Sequence, residues 1–428
     1  MAVAGMVSVW FREFKWSGQN RSALLINAAR VLVIITCVGM FYSPTVASIT
    51  MVPAYVSFLA SGQVVWRIKR VCNRPMVYWG IVFLATVFLG VIYSSVPWYD
   101  RWMDFFKWRI IIWFFLVLAL FDEEVWTIRL MGTFLAGLAV GLLWSFLTAA
   151  GWITFWKGAE AVLRNNVTQG MGFAVAALVC VWMVSQGAFS RRSNWILLGL
   201  GMLFVLNMVF VTTGRSGYVV LGIGLGVMSL WNTSLMQRTL IMVGLPVVAI
   251  LAFSFSPRMQ DYIILGVDQW MHESESKSLT SMGVRRVFYV NTLEILQDHW
   301  MIGVGTGGFK QAYAEHVTHK YDSSDWRASP TGDPHNQYLA VFAKHGIGGL
   351  AVFLVWIIAI ARDKCDLPKY RMLALAILCG WCVTSLFSSH FRTFVEGHLL
   401  MTFLGALLAT APVGSQPVLA KEMLSEPA

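Results

Sequence analysis

Charge is what this 428-residue chain has least of: Asp, Glu, Lys and Arg together make up 13% of it, about half their share in soluble domains. With 57% of the residues hydrophobic, no soluble fold would hide the apolar area. Cysteine is also sparse. Cys37, Cys72, Cys180, Cys365, Cys379 and Cys382 lie in apolar runs or short loops, which excludes a disulfide framework. Cys379 and Cys382 form a CxxC, but within an apolar run and without a βαβ context, so they read as helix packing rather than a redox pair. There is no DxD pair of carboxylates, the one glycine run lacks the Lys and Ser/Thr of a P-loop, and no Glu completes a zinc motif around His316 and His319. The chain therefore makes no demand for a metal or other cofactor. Despite a net charge of +10, no nucleic-acid module is present; on so apolar a chain a basic balance fits loops lying against anionic lipid head groups.

What the sequence has in abundance is apolar runs of membrane-spanning length. Twelve occupy approximately 24–42, 46–66, 76–96, 109–121, 128–150, 168–186, 195–211, 217–231, 240–255, 337–361, 372–388 and 397–412, since about 20 apolar residues cross a bilayer as a helix. Twenty Trp, 12 Tyr and 28 Phe suit aromatic belts at two interfaces. The expected fold is an all-α integral membrane protein of about 12 transmembrane helices. Residues 1–21 mix basic and aromatic side chains and lead directly into the first apolar run, so no cleavable leader is expected. Orientation follows from the short basic loops. Arg12, Lys15 and Arg21, then Arg67, Lys69, Arg70 and Arg74, then Arg191 and Arg192, then Arg362, Lys364, Lys369 and Arg371 fall on one side if both termini are cytoplasmic. The layout is then helices 1–9 over residues 1–255, a long far-side loop over 256–336, helices 10–12 over 337–412 and a cytoplasmic tail over 413–428. Trp, Tyr, Phe and Leu at helical spacing around 284–296 predict amphipathic helices within the long loop.

Arginines on the far side break the positive-inside pattern. Arg215 stands in TTGRSG between two apolar runs. Snorkelling to a lipid phosphate accounts for a lone arginine at a helix end, while the flanking glycines favour close backbone approach to a ligand. Arg285 and Arg286 lie in GVRRVFYVNTLEIL, where helical spacing turns one to solvent and the other to the membrane cavity. MIGVGTGGF supplies Gly303, Gly305, Gly307 and Gly308; such a run can cradle a phosphate through backbone N–H groups, and a tight turn between helices explains it as well.

DPHNQYLAVFAKHGIGGL carries the sharpest local signal. Asp333 reads as a helix N-cap and Pro334 as the first helical residue, placing His335 and Asn336 in the opening turn of the tenth span. There the positive end of the helix dipole favours anions and a neutral imidazole able to accept a proton. His390, Arg392, Glu396 and His398 form either a second polar cluster on the same side or a solvated turn. Lys344 and His345 fall inside the tenth span, where burial requires a partner or a watery cavity.

Arg215 at an outer helix end, Arg286 followed by a G-x-G-x-x-G-F-like stretch, and HNQYL with a downstream GIGGL together resemble the membrane O-antigen ligase family. The likeness in motifs covers approximately residues 212–350; the remainder agrees in hydropathy and helix count. It implies a multi-pass glycosyltransferase of the bacterial inner membrane, metal-independent and without cofactors, with its active site on the periplasmic side. The implied reaction moves a polysaccharide from undecaprenyl diphosphate to a sugar hydroxyl of lipid A-core, completing lipopolysaccharide. By the same resemblance Arg215 and Arg286, or the adjoining Arg285, bind the diphosphate and His335 assists the acceptor. LRNNVTQG, which contains Asn166, is similar to a polar stretch near the sixth span of such proteins. Asn336, Gly303, Gly305 and Arg392 stand as supporting residues.

The chemistry of the residues agrees with this reaction. A diphosphate leaving group needs concentrated positive charge, which arginines or a helix N-terminus supply without a cation. A hydroxyl nucleophile gains from a neutral imidazole, and no residue reads as a covalent nucleophile, so a single inverting displacement is expected. An O-antigen polymerase or a protein-directed oligosaccharyltransferase would use the same donor with another acceptor. A polytopic transporter or lipid-linked sugar flippase would account for a dozen spans, but shows internal repeats and broken helices near the midplane, and no convincing repeat is present.

Overall fold

The computed structural model describes residues 21–153, 161–187, 189–212, 214–230, 281–365 and 367–409, together with 254, 260 and 264. These residues form fifteen α-helices and no strand. In chain order they are α1 Arg21–Tyr42, α2 Pro44–Ala60, α3 Val64–Cys72, α4 Pro75–Tyr93, α5 Trp98–Phe105, α6 Ile110–Leu120, α7 Glu124–Ala149 and α8 Asn166–Ser185. There follow α9 Arg191–Phe210, α10 Arg215–Ser229, α11 Ser281–His299, α12 Phe309–Lys320, α13 Gln337–Ala361, α14 Pro368–Thr384 and α15 Phe394–Leu407.

The punctuation is local. Pro44, Pro75 and Pro368 open α2, α4 and α14, positions where a missing N–H costs nothing. Asn165 caps α8 by accepting from Thr168 N, and Ser190 caps α9 by accepting from Ser193 N, each satisfying an orphan donor.

Among the described residues six helices (α1, α4, α7, α8, α9 and α13) are long and apolar enough to cross a membrane. A seventh span arises if α2 and α3, bent by 100° at their junction, count as one; Gly62, at φ 71°, sits in that bend. The chain is a multi-pass membrane protein. The fourth, eighth, eleventh and twelfth expected spans are helical but only 11, 15, 17 and 14 residues long, and the ninth, 240–255, falls almost wholly outside the described residues. The apolar runs behind these four helices are themselves short of the roughly 20 residues that cross a bilayer as a straight helix.

Burial sorts the helices into inner and outer. All but one residue of α15 is buried, as is most of α8, and both are apolar around most of their circumference, as interior helices must be. Helix α15 packs on α6 and α14, α8 on α9 and α10, α10 on α14, and α4 on α13. Ile49, Leu59, Tyr78, Leu89, Leu143 and Met202 stay exposed on the outer helices, the surface a hydrocarbon solvent would cover. Helices α11 and α12 lie apart over a small second core of Ile295, Leu296, Phe309, Tyr313 and Val317, with Ala343 beneath, within the segment where amphipathic helices were expected.

The bundle has two polar ends. At one, α4 and α7 begin while α6, α13 and α15 finish. Arg30, Arg67 and Arg70 converge there on Asp122 at 2.5, 2.8 and 3.0 Å, Arg74 pairs with Asp363, and Lys369 meets Glu124. Among the described residues the basic loops around Arg67 to Arg74 and Arg362 to Arg371 thus share one end, while Arg12 and Lys15 lie outside the described residues. At the other end α4 and α14 finish, and α6, α8, α10, α13 and α15 begin.

Candidate active site

The start of α13 differs from its reading in the sequence. The N-cap is Asn336, not Asp333, and the helix opens at Gln337. Asn336 Oδ1 accepts from Tyr338 N and Leu339 N at 2.9 and 3.1 Å, and Gln337 N donates to Ser385 O, so the leading N–H groups of the helix are already engaged. Asn336 is thereby a structural cap. His335 precedes the helix with φ 55°, a left-handed conformation that a non-glycine residue adopts only when held. Asp333 does the holding: its Oδ1 accepts from His335 N at 2.9 Å and from Ser389 Oγ at 2.7 Å. An Asx turn competes well with a helical start because the short carboxylate reaches the N–H two residues on.

So fixed, the half-buried His335 ring stacks on Phe288 of α11, with centroids 5.7 Å apart and planes 11° from parallel. Tyr289, the next residue, donates to His335 O and Leu386 O at 3.2 and 2.7 Å, tying α11 across the mouth. Burial pushes the His335 imidazole below its ordinary value; Asp333 opposes this, and the positive charges of Arg285 and Arg392 reinforce it. The neutral form is favoured, as expected, though by burial and arginines rather than by a helix dipole.

Arg285 is the member of the arginine pair that faces this mouth. Its charge is felt at His335, at Tyr289 and at His390, while Arg286 is turned about 100° away around the helix. Burial and the neighbouring Arg215 push the Arg285 guanidinium down, so arginines from α10 and α11 lie within each other's field. The neighbour of Arg215, Ser216, brings its Oγ 3.3 Å from His390 Nε2. His390 is 2% exposed, and burial takes it to about 4, the positive Arg285 adding to the effect while Glu396 and Asp333 oppose it. Glu396 accepts from Thr168 Oγ1 at 2.5 Å, which joins α8 and α15 to the same cluster. A Cβ on Gly214 would lie 2.2 Å from Asn166 O; only glycine lets Arg215 begin its helix directly against Asn166 and the LRNNVTQG stretch.

Arg392 extends the cluster inward. It is 7% exposed and bridges two carboxylates, Asp104 Oδ1 at 3.0 Å and Asp333 Oδ2 at 3.1 Å. Asp104, missed in the sequence, is the partner that Lys344 inside α13 required, at 2.6 Å, and it also pairs with Lys107. Burial alone would raise the Asp104 carboxyl, but Lys344, Arg392 and Lys107 hold it well below the ordinary range. The signal available was the second of two acids in DRWMDFFKWR, an aromatic loop beside a spanning helix.

The glycine run does not cradle an anion. Gly303 N donates to His299 O, Gly305 N to Lys344 O, Gly307 N to Asp104 Oδ2 and Gly308 N to Gly305 O. Gly303, Gly305 and Gly307 take φ of 71°, 82° and 86°, and a Cβ on Gly303 would meet the backbone of Lys344 at 2.4 Å. The run instead packs against the break in α13 at Gly346, φ 64°. His316 and Lys320, for their part, share Glu294.

With this geometry in view, the comparison with known families has a clear object: residues 200–354 match the model of the family described as O-Antigen ligase. Over those residues, about a third of its length, the chain is similar to the O-antigen ligase family. The matched stretch carries Arg215, Arg285 and His335; Asp104, His390 and Arg392 lie outside it and reach the site only through the fold. No curated protein matches the chain. That match supports an enzyme of the membrane-bound glycosyltransferase type.

Proposed function

We propose that this protein is an O-antigen ligase, which transfers a polysaccharide from undecaprenyl diphosphate to a sugar hydroxyl of lipid A-core, at the periplasmic face of a bacterial inner membrane. The observation that carries the reading is the juxtaposition, inside the ligase-family segment, of arginines from two helices with an imidazole kept neutral. In the proposed step the acceptor hydroxyl oxygen attacks the anomeric carbon from the face opposite the diphosphate. The new C–O bond forms as the old one breaks, the hydroxyl proton passes to His335, and the departing electron pair and charge come to rest on the diphosphate. Arg215 and Arg285 hold those oxygens through planar, charge-assisted hydrogen bonds. His335 is the general base. Configuration inverts because one displacement occurs. The periplasmic placing is supported by the basic loops gathered at the opposite end of the bundle.

The test is to incubate the purified protein with undecaprenyl diphosphate-linked glycan and lipid A-core and look for joined product. Product with that acceptor is expected; chain extension on a lipid-linked glycan instead would make the protein a polymerase. Transfer is expected to persist in excess EDTA, because guanidinium groups supply the charge at the leaving group. Activity lost to the chelator and restored by Mg²⁺ or Mn²⁺ would overturn that part of the mechanism.

A further inference from the structure

A second polar recess lies beyond Asp333. It is a cavity of about 430 Å³ whose lining includes Lys107, Arg109, Asp333, Arg392, Phe394 and His398, and neither Arg215, Arg285 nor His335 contributes to it. Its floor is built and incompletely satisfied. Arg392 and His398 are 7% and 1% exposed, yet among the described residues Arg392 Nε and His398 Nε2 have no hydrogen-bond partner. With Nδ1 turned to Phe394 O, His398 Nε2 is the acceptor of its ring, while a buried donor left without a partner, as Arg392 Nε is, is uncommon and points to a ligand. The rim carries exposed Lys107 and Arg109, the latter with its guanidinium 5.6 Å from the Phe394 ring centroid. Around this recess four cations, Lys107, Arg109, Lys344 and Arg392, face two carboxylates, Asp104 and Asp333, a surplus of two positive charges. A recess of this size, polar at its base and aromatic at one wall, suits a sugar phosphate rather than an acyl chain.

We propose that this recess is the acceptor subsite, and that it takes a phosphate group of the acceptor glycolipid. The inference rests on the transfer reading above. Asp333 divides the two halves of the site: one of its oxygens sets the backbone of His335, the other meets Arg392 on the recess side. A donor diphosphate on Arg215 and Arg285 and an acceptor phosphate among Lys107, Arg109 and Arg392 therefore approach His335 from opposite sides of one carboxylate.

Lys107→Gln/Arg109→Gln is the variant to test, both positions being exposed and outside the helix core. With saturating donor, the KM for phosphorylated lipid A-core should rise about tenfold or more, as loss of charge-assisted contacts implies, while kcat, melting temperature and donor Kd hold. Phosphatase-treated lipid A-core should show one KM on both proteins. An unchanged KM in the double variant, or a rise that persists with the dephosphorylated acceptor, overturns the proposal. If the recess instead holds a bulk phospholipid, the variant will lose thermal stabilisation by phosphatidylglycerol nanodiscs relative to phosphatidylcholine, with acceptor KM unmoved; that result also overturns it. Native mass spectrometry of wild type and variant with phosphorylated or dephosphorylated lipid A-core reads the subsite without turnover. A wild type that binds the phosphorylated lipid selectively but makes no product would separate a failed reaction from a failed subsite.

Discussion

The two ends of the bundle use arginine in opposite ways. Where α4 begins and α6, α13 and α15 finish, every pairing opposes charge with charge: Arg30, Arg67 and Arg70 on Asp122, Arg74 on Asp363. At the other end Arg215 stands beside Arg285 and lowers it, and the carboxylate at hand, Asp333, is engaged by Arg392, Ser389 and the His335 backbone. An arginine paired with a carboxylate near a membrane fastens helices, whereas two arginines brought within each other's field at a polar mouth concentrate positive charge there. The company that the fold brings to an arginine thus decides which task it performs, and sequence position alone does not.

The sharpest way to break this comparison is to exchange the expected phenotypes. Asp122→Ala leaves three arginines around a buried, empty counter-charge position and should cost about 3–5 kcal/mol of stability, read as a large fall in melting temperature with specific activity of the surviving protein unchanged. Arg285→Ala or Arg215→Ala should do the reverse, lowering transfer by about 10²–10³-fold with a far smaller change in melting temperature. Arg286→Ala should stay near wild type. A dead Arg286→Ala beside an active Arg285→Ala would reverse the assignment drawn from the fields at His335 and His390.

His335→Ala should cut single-turnover rate by about 10²-fold and leave donor binding intact; full turnover by a stable variant removes it as the base. The smallest expected effect concerns pH. Burial, Arg285 and Arg392 hold His335 below its ordinary 6.5, so the base remains neutral and activity flat as pH falls through that value, declining only beneath it. Asp333 is the charge that favours the imidazolium. Asp333→Asn should therefore lower the His335 value further and carry the acid limb of residual activity downward by less than about one pH unit. An upward shift would show that Asp333 acts on another group.

Much of this was legible in the residues. Hydrophobic runs located the helices because about 20 apolar residues in sequence have one comfortable home, and the basic loops now gathered at one end were found by counting. Arg215 and His335 stood out because each is polar at the edge of an apolar run. Three features were not legible. DPHN reads as a capped helix start, yet the Asx turn at Asp333 moved the cap to Asn336 and left His335 outside the helix. The glycines of MIGVGTGGF suggested an anion cradle, but their N–H groups serve His299, Lys344 and Asp104. Asp104, over 200 residues from its partners Lys344 and Arg392, carries no local mark of its role.

By itself, then, the sequence determined that the chain lives in a bilayer, where its helices run, and which residues of one segment resemble a ligase. These are consequences of short-range composition, since hydropathy and capping act within a few turns of helix. Only the tertiary structure decided that Arg285 rather than Arg286 turns to the mouth, that Asp333 positions His335, and that Lys344 and Arg392 converge on Asp104. Each of those depends on side chains brought together from helices far apart in the chain, and burial makes such pairings strong while leaving no trace of them in sequence spacing.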